Sequence, residues 1–125
     1  MAKMDLSKLS NPKFITMMEL LLKTKLPAKT AYKVMTLTYK FNEELKKFQE
    51  VRTHLLESYA LKREDGSFIL EGDSYTFDPD SKLGMLKGLS ELLSVEIEFE
   101  PIKIDDLGDI SLTAEDLMYL GDIIR

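Results

Sequence analysis

The feature that most constrains the fold is a long amphipathic segment without an internal glycine or proline. It follows Pro27, and from Ala28 to Lys62 its apolar residues recur every three or four positions, the spacing of one helical face. They are Val34, Leu37, Phe41, Leu45, Phe48, Leu55 and Tyr59. The predicted helix is roughly 50 Å long, whereas a compact domain of this chain length has a radius of gyration of about 14 Å. The helix must therefore bend, be shorter than predicted, or pack against another chain.

The composition favours one compact domain. The chain has 125 residues, of which 44% are hydrophobic, and this is enough for a single core. It contains no cysteine, which excludes disulfides, thiolate nucleophiles and cysteine-based zinc sites. No apolar run approaches the roughly 20 residues that span a bilayer, and the first residues lack the apolar core of a signal peptide. We therefore expect a soluble protein of the cytoplasm.

Charge is unevenly distributed along the chain. Residues 1–63 carry 13 Lys and Arg against 6 Asp and Glu, and residues 64–125 carry 4 against 16. A basic helical half thus precedes an acidic half within the single predicted domain. Such asymmetry is typical of a nucleic-acid-facing surface or of an acidic interaction surface. The simpler interpretation is that the two halves fold onto each other and partly neutralise.

Capping signals predict three further helices. Asn11 and Asp78 each precede a proline, and this pairing is typical of a helix start because proline at the first position loses no needed donor. Thr113, with Asp116 three positions later, predicts a capping box and a C-terminal helix. In the helix after Asp78, Gly84 and Gly88 are predicted to let another backbone approach closely.

Two patterns predict β-structure. The segment SFILEGDSYTF predicts a hairpin with a two-residue turn at Gly72-Asp73, which places Leu70 opposite Tyr75 and Phe68 opposite Phe77. The strict alternation of SVEIEFE at 94–100 predicts a third strand with one wet face. The order of elements predicts an α+β fold. We expect a helical hairpin with one long helix packed on a small antiparallel sheet, made of the β-hairpin plus the third strand, and a C-terminal helix.

The sequence contains no catalytic constellation. His54, the single histidine, lies inside the long helix away from its apolar positions and is predicted to be a surface side chain. Asp78-Pro79-Asp80 resembles the start of an EF-hand loop, but Leu83 occupies the position of the required glycine and Leu89 that of the bidentate glutamate. No glycine-rich phosphate-binding loop is present. We predict no enzymatic activity, no cofactor and no metal site.

The long helix is the best candidate for a binding surface. The predicted partner-binding residues are Lys29, Tyr32, Lys33, Tyr39 and Lys40. A protein partner, including a second copy of the chain, would pack on the over-long amphipathic helix. A nucleic acid would instead use the lysines as a phosphate track and the tyrosines as stacking platforms. We favour a protein partner because a phosphate track would have to work beside the acidic half.

Several motifs of the chain resemble those of a known group of sequences. The run Leu26-Pro27-Ala28-Lys29-Thr30-Ala31-Tyr32-Lys33 opens the long helix, and Leu55-Leu56-Glu57-Ser58-Tyr59 precedes an Asp65-Gly66 turn. In these motifs and in Ile104-Asp105-Asp106-Leu107, the chain resembles an uncharacterised group of small bacteriophage and prophage proteins. The resemblance implies a phage origin and brings no catalytic residue or cofactor.

These observations together predict a non-enzymatic protein–protein interaction protein of phage origin. It would be either a virion or virion-assembly component or a binder of a host protein. Its expected location is the cytoplasm of the infected bacterium or the virion. The alternative is a nucleic-acid-binding regulator that uses the basic long helix.

Overall fold

The computed structural model describes residues 2–108 and 110–124. In chain order the elements are the strand β1 (Ala2–Asp5), the helices α1 (Leu6–Leu9), α2 (Pro12–Lys23) and α3 (Ala28–Tyr59), the strands β2 (Leu70–Glu71) and β3 (Ser74–Tyr75), the helix α4 (Pro79–Leu93), the strand β4 (Glu96–Phe99), a 3₁₀ helix (Ile104–Leu107) and the helix α5 (Ala114–Leu120). The predicted α+β class is confirmed, with one long helix, small antiparallel sheets and a C-terminal helix.

The described residues form two compact units. The first unit combines residues 2–45 with residues 95–124, and the second unit contains residues 46–94. These units do not coincide with the basic and acidic halves of the sequence, which meet after Arg63. Helix α3 contributes residues to both units, because the boundary falls between Leu45 and Lys46.

The first unit contains a two-stranded antiparallel sheet in which β1 pairs with β4. Ala2 lies opposite Phe99 and Met4 opposite Ile97, and all four side chains are buried. The strand predicted within 94–100 is thus confirmed over Glu96–Phe99, but its partner is β1 rather than the hairpin. Strand β1 is missing from the sequence-based prediction, because its four residues are the lower limit of an alternating pattern that identifies a strand.

Helix α3 directs its predicted apolar face into the core of the first unit. Val34 and Leu37 are buried there, and Phe41 is only 3% exposed. The Phe41 ring contacts Phe14 of α2 and Phe99 of β4 edge to face, with ring centroids 5.9 Å and 5.5 Å apart. Such aromatic pairs contribute about 0.5–1.5 kcal/mol each beyond the area they bury. The long amphipathic face is therefore core over this part of the helix.

The predicted helix starts are confirmed. Asn11 and Asp78 each accept a hydrogen bond from a backbone N–H in the first turn of α2 and α4, and a proline follows each cap. Thr113 and Asp116 form a reciprocal capping box at the start of α5. Asp78, the first residue of the EF-hand-like segment, therefore serves as a helix cap.

The second unit contains the predicted hairpin, but one of the two predicted residue pairs is not formed. Strands β2 and β3 pair so that Leu70 lies opposite Tyr75, as predicted. The predicted pair of Phe68 with Phe77 is wrong, because Phe68 instead forms an antiparallel bridge with Lys62 in the segment that follows α3. The Phe68 ring packs edge to face on Tyr75, with centroids 5.1 Å apart. An unpredicted third segment thus takes the place beside Phe68.

Two glycines allow α4 to approach α3 within the second unit. A Cβ atom at Gly84 would lie 2.8 Å from the Tyr59 ring, and one at Gly88 would lie 2.8 Å from a methyl group of Leu55. Real Cβ atoms essentially never approach another heavy atom this closely. The glycines thus make room for side chains rather than for the backbone approach predicted from the sequence.

Candidate functional site

The first turns of α3 line an open groove in the first unit, with a volume of about 700 Å³. Its helical residues recur at the three- and four-residue spacing of one helix face. The residues that line the groove on α3 are Ala28, Lys29, Tyr32, Lys33, Thr36, Leu37 and Lys40. Glu100 and Pro101, which follow β4, complete the lining. Four of the five predicted partner-binding residues are therefore brought together in one groove.

The fifth predicted residue, Tyr39, does not line this groove. Tyr39 and Tyr32 are 64% and 69% exposed, respectively, which agrees with the prediction that both are surface side chains. Large exposed aromatic side chains are typical anchors of protein interfaces. Because Tyr32 combines this exposure with a position in the groove, it is the stronger candidate for an anchor.

The three lysines of the groove have different environments. The Lys33 ammonium lies 3.4 Å from Oδ2 of Asp106, and the Lys40 ammonium donates a hydrogen bond to the Glu98 carbonyl oxygen. Lys29 makes no hydrogen bond or ion pair with another residue within 2–108 or 110–124. Lys33 and Lys40 thus contact the segment 98–106, whereas Lys29 faces solvent.

The segment from Glu98 to Asp106 runs antiparallel to the start of α3. Glu98 is fixed beside Lys40, whereas the Asp106 carbonyl accepts a hydrogen bond from the hydroxyl of Thr30 ten residues earlier in the helix. Thr30 is buried, and this bond satisfies its hydroxyl. Glu100 therefore lies toward the Lys40 end of the groove. Lys29 lies at the opposite end.

Basic residues from the start of the chain pair with acidic residues from its end inside the first unit. Three ion pairs between its described residues join Lys3 to Glu98 at 3.8 Å, Lys33 to Asp106 at 3.4 Å, and Lys8 to Asp122. In every one of these pairs the lysine comes from residues 2–45 and the acid from residues 95–124. The interpretation that basic and acidic segments partly neutralise each other is therefore correct for these pairs.

Sequence reasoning missed the acidic side of the groove. It selected lysines and tyrosines on one helix, but Glu100 and Pro101 of the lining, and Asp106, which pairs with Lys33, come from a segment some seventy residues later in the chain. The available signal was the charge asymmetry, which predicts that acidic residues lie near the basic helix. It could not predict which acids do so, since helical periodicity gives no distances between remote segments.

The other candidates for chemistry remain apart. His54 is exposed on the part of α3 that belongs to the second unit, and its carbonyl oxygen accepts a hydrogen bond from the Ser58 hydroxyl. Among residues 2–108 and 110–124, no group of three or more His, Asp or Glu side chains could share a metal ion.

No helix in the described part of the chain is both long enough and apolar enough to cross a membrane. Comparisons with protein-family models, with curated proteins and with solved structures found no match for this chain. The resemblance to phage proteins therefore stays a prediction, and the functional argument rests on the groove.

Proposed function

We propose that this protein is a non-enzymatic interaction protein that binds another protein through the groove at the start of α3. The observation that carries the proposal is the exposed Tyr32 ring between Lys29 and Lys33 in a groove of about 700 Å³. Tyrosine supplies a large contact area with little conformational entropy to lose, and grooves of this size accommodate several side chains.

A protein partner explains this groove better than a nucleic acid does. A phosphate track needs several lysines free to neutralise phosphates. Here Lys33 and Lys40 are held by Asp106 and by the Glu98 carbonyl, and Glu100 adds a negative charge to the lining. That carboxylate weakens the attraction of the lining for a polyanion, whereas a protein segment can place a neutral or cationic group beside it.

The phage resemblance supplies the proposed setting. In that setting the protein acts either as a component of the virion or its assembly, or as a binder of a host protein. The two roles differ in where the protein is found, because a virion component co-purifies with particles and a host binder does not.

The test is affinity capture of the tagged protein from phage-infected cells, together with mass spectrometry of gradient-purified virions. Tyr32→Ala should reduce recovery of a stoichiometric partner by at least about tenfold, the loss of a hot-spot contact. Tyr39→Ala is the matched control, because it removes a similarly exposed tyrosine outside the groove. Both variants should keep the wild-type circular dichroism spectrum.

Equal losses for the two tyrosine variants would mean that the groove is not the site. Recovery unaffected by either variant would contradict the proposed function altogether. A second charge-matched pair, Lys29→Glu in the groove and Lys23→Glu at the end of α2, repeats the comparison for a cation.

A further inference from the structure

The two ends of the groove differ in charge. The two charged side chains of its lining that make no hydrogen bond or ion pair with another described residue have opposite signs and lie at different ends. Lys29 and Glu100 both line it and both are exposed. Neither makes a hydrogen bond or ion pair with any other residue in the described ranges 2–108 and 110–124. Of the other two charged groups of the lining, Lys33 forms an ion pair with Asp106, and Lys40 donates a hydrogen bond to the Glu98 carbonyl oxygen, which fixes its ammonium without neutralising it.

Between these ends the groove is mainly apolar. Its lining there includes the Tyr32 ring, Leu37 and Pro101, with Thr36 as the neutral polar neighbour. An aromatic or large aliphatic side chain placed on this surface would bury apolar area at about 25 cal/mol per Å². The charges at the ends give little net attraction in water, but they select the orientation and reject partners of the wrong polarity.

We infer that the occupant is a segment of a partner protein with an acidic residue, a large apolar residue and a basic residue, in that spatial order. The carboxylate pairs with Lys29, the apolar side chain packs on Tyr32 and Pro101, and the cation pairs with Glu100. This inference rests on the proposed function and adds the chemistry and the orientation of the partner.

Charge complementarity selects this occupant over two simpler ones. A uniformly acidic segment would place a carboxylate against Glu100, and like charges in contact are unfavourable. A nucleic acid would also place a phosphate near Glu100, and Lys29 is the only lysine of the groove lining without a hydrogen bond or ion pair to another described residue. A segment of mixed charge satisfies both ends.

The experiment is a selection of displayed random peptides on the wild-type protein, with counter-selection on Tyr32→Ala to retain binders that use the groove. The expected consensus contains one acidic and one basic residue on either side of a large apolar residue. Synthetic peptides of that consensus should lose at least about tenfold in affinity for Lys29→Glu and for Glu100→Lys, measured by fluorescence anisotropy.

Charge reversal then assigns each contact. Replacing the acidic residue of the peptide with lysine should restore binding to Lys29→Glu and not to Glu100→Lys. Replacing the basic residue with glutamate should give the opposite result. Lys23→Glu, which reverses a charge outside the groove, should bind the original peptide with unchanged affinity.

Three outcomes would overturn the inference. They are a purely acidic consensus, a peptide affinity that Glu100→Lys leaves unchanged, and tighter binding of a single-stranded oligonucleotide probe than of the peptide. If capture from cells still depends on Tyr32 in those cases, the proposed function stands and the partner has different chemistry. If capture does not depend on Tyr32, the function itself fails.

Discussion

The two units differ in how completely they bury their apolar residues. Among the described residues, the buried apolar residues of the second unit are Phe48, Ala60 and Met85. The first unit buries residues from both of its strands, from α1, α2 and α3, and from the C-terminal segment that ends at Ile124. Units below about 60 residues bury a smaller fraction of their surface, so the second unit has less apolar burial to stabilise it.

This difference indicates which unit supports the proposed binding groove more rigidly. The groove lies on the first unit, where Phe41 packs between Phe14 and Phe99 just beyond the groove residues Leu37 and Lys40. A site built on well-packed helices and strands keeps its side chains in fixed positions. The second unit instead relies on close contacts that two glycines permit and on a short hairpin.

The largest expected effect is that of truncating a buried ring of α3 in each unit. Phe41→Ala should cost about 4 kcal/mol, because it removes a buried side chain and two aromatic pairs. Phe48→Ala, whose ring is similarly buried at 5% exposure, should cost about 3 kcal/mol. Urea unfolding followed by circular dichroism measures both values. A larger loss for Phe48→Ala would break the comparison between the units.

Hydrogen exchange should show the next largest difference. Amides of α4 and the hairpin should exchange at least about tenfold faster than those of α2 and β4, a difference of about 1.4 kcal/mol in opening free energy. The physical reason is the smaller apolar burial in the second unit. Mass spectrometry of peptic fragments after deuterium labelling resolves the two regions. Equal protection throughout would show that the two units open together.

A smaller effect is expected from filling the space at a glycine of α4. Gly88→Ala should destabilise the second unit by about 1 kcal/mol, because overpacking against Leu55 outweighs the gain in helix propensity. Ser90→Ala, at an exposed position of the same helix, is the control and should be neutral or slightly stabilising. Thermal unfolding of both variants would check this. A stabilised Gly88→Ala variant would mean that Leu55 moves aside at little cost.

The smallest effect concerns pH and Asp5, the cap of α1 in the first unit. Its carboxylate accepts hydrogen bonds from the Ser7 hydroxyl at 2.6 Å and from the Lys8 N–H at 3.0 Å, and these bonds lower the pKa of Asp5 from its ordinary value of 3.8. The unfolded chain therefore binds more protons in this range. The contribution of Asp5 to stability is present above pH 3.8 and is lost as the pH falls through the folded-state pKa.

In Asp5→Asn the free energy of unfolding should fall less steeply as the pH is lowered. The difference from the wild type should be less than about 1 kcal/mol, because the carboxylate is exposed and amides also cap helices. Asp65→Asn is the matched variant in the second unit, where the Ser67 hydroxyl lowers the pKa of Asp65. Acid titration followed by circular dichroism and hydrogen exchange would separate the two. An unchanged profile for Asp5→Asn would show that its hydrogen bonds persist in the unfolded chain.

Local signals determined most of the secondary structure. The three-four spacing of Val34, Leu37 and Phe41 predicted α3 and its buried face, because a helix that buries one face must repeat with its own period. The caps at Asn11 and Asp78 were identifiable because the unpaired N–H groups at a helix start need a nearby acceptor. The turn at Gly72 was equally local, since its φ of 63° favours glycine.

The tertiary structure decided which strand pairs with β4 and which segment lies beside the start of α3. The pairing of β1 with β4 joins residues 2–5 to residues 96–99, and a local sequence pattern does not identify so remote a pairing partner. The same holds for Glu100 and Asp106 beside α3. The sequence by itself determined which lysines and tyrosines share a helix face, because periodicity is a local property. Only the packing of remote segments decided that Lys33 meets Asp106 and that Lys40 meets the Glu98 carbonyl oxygen while Lys29 stays exposed, because ion pairs and hydrogen bonds depend on distance in space.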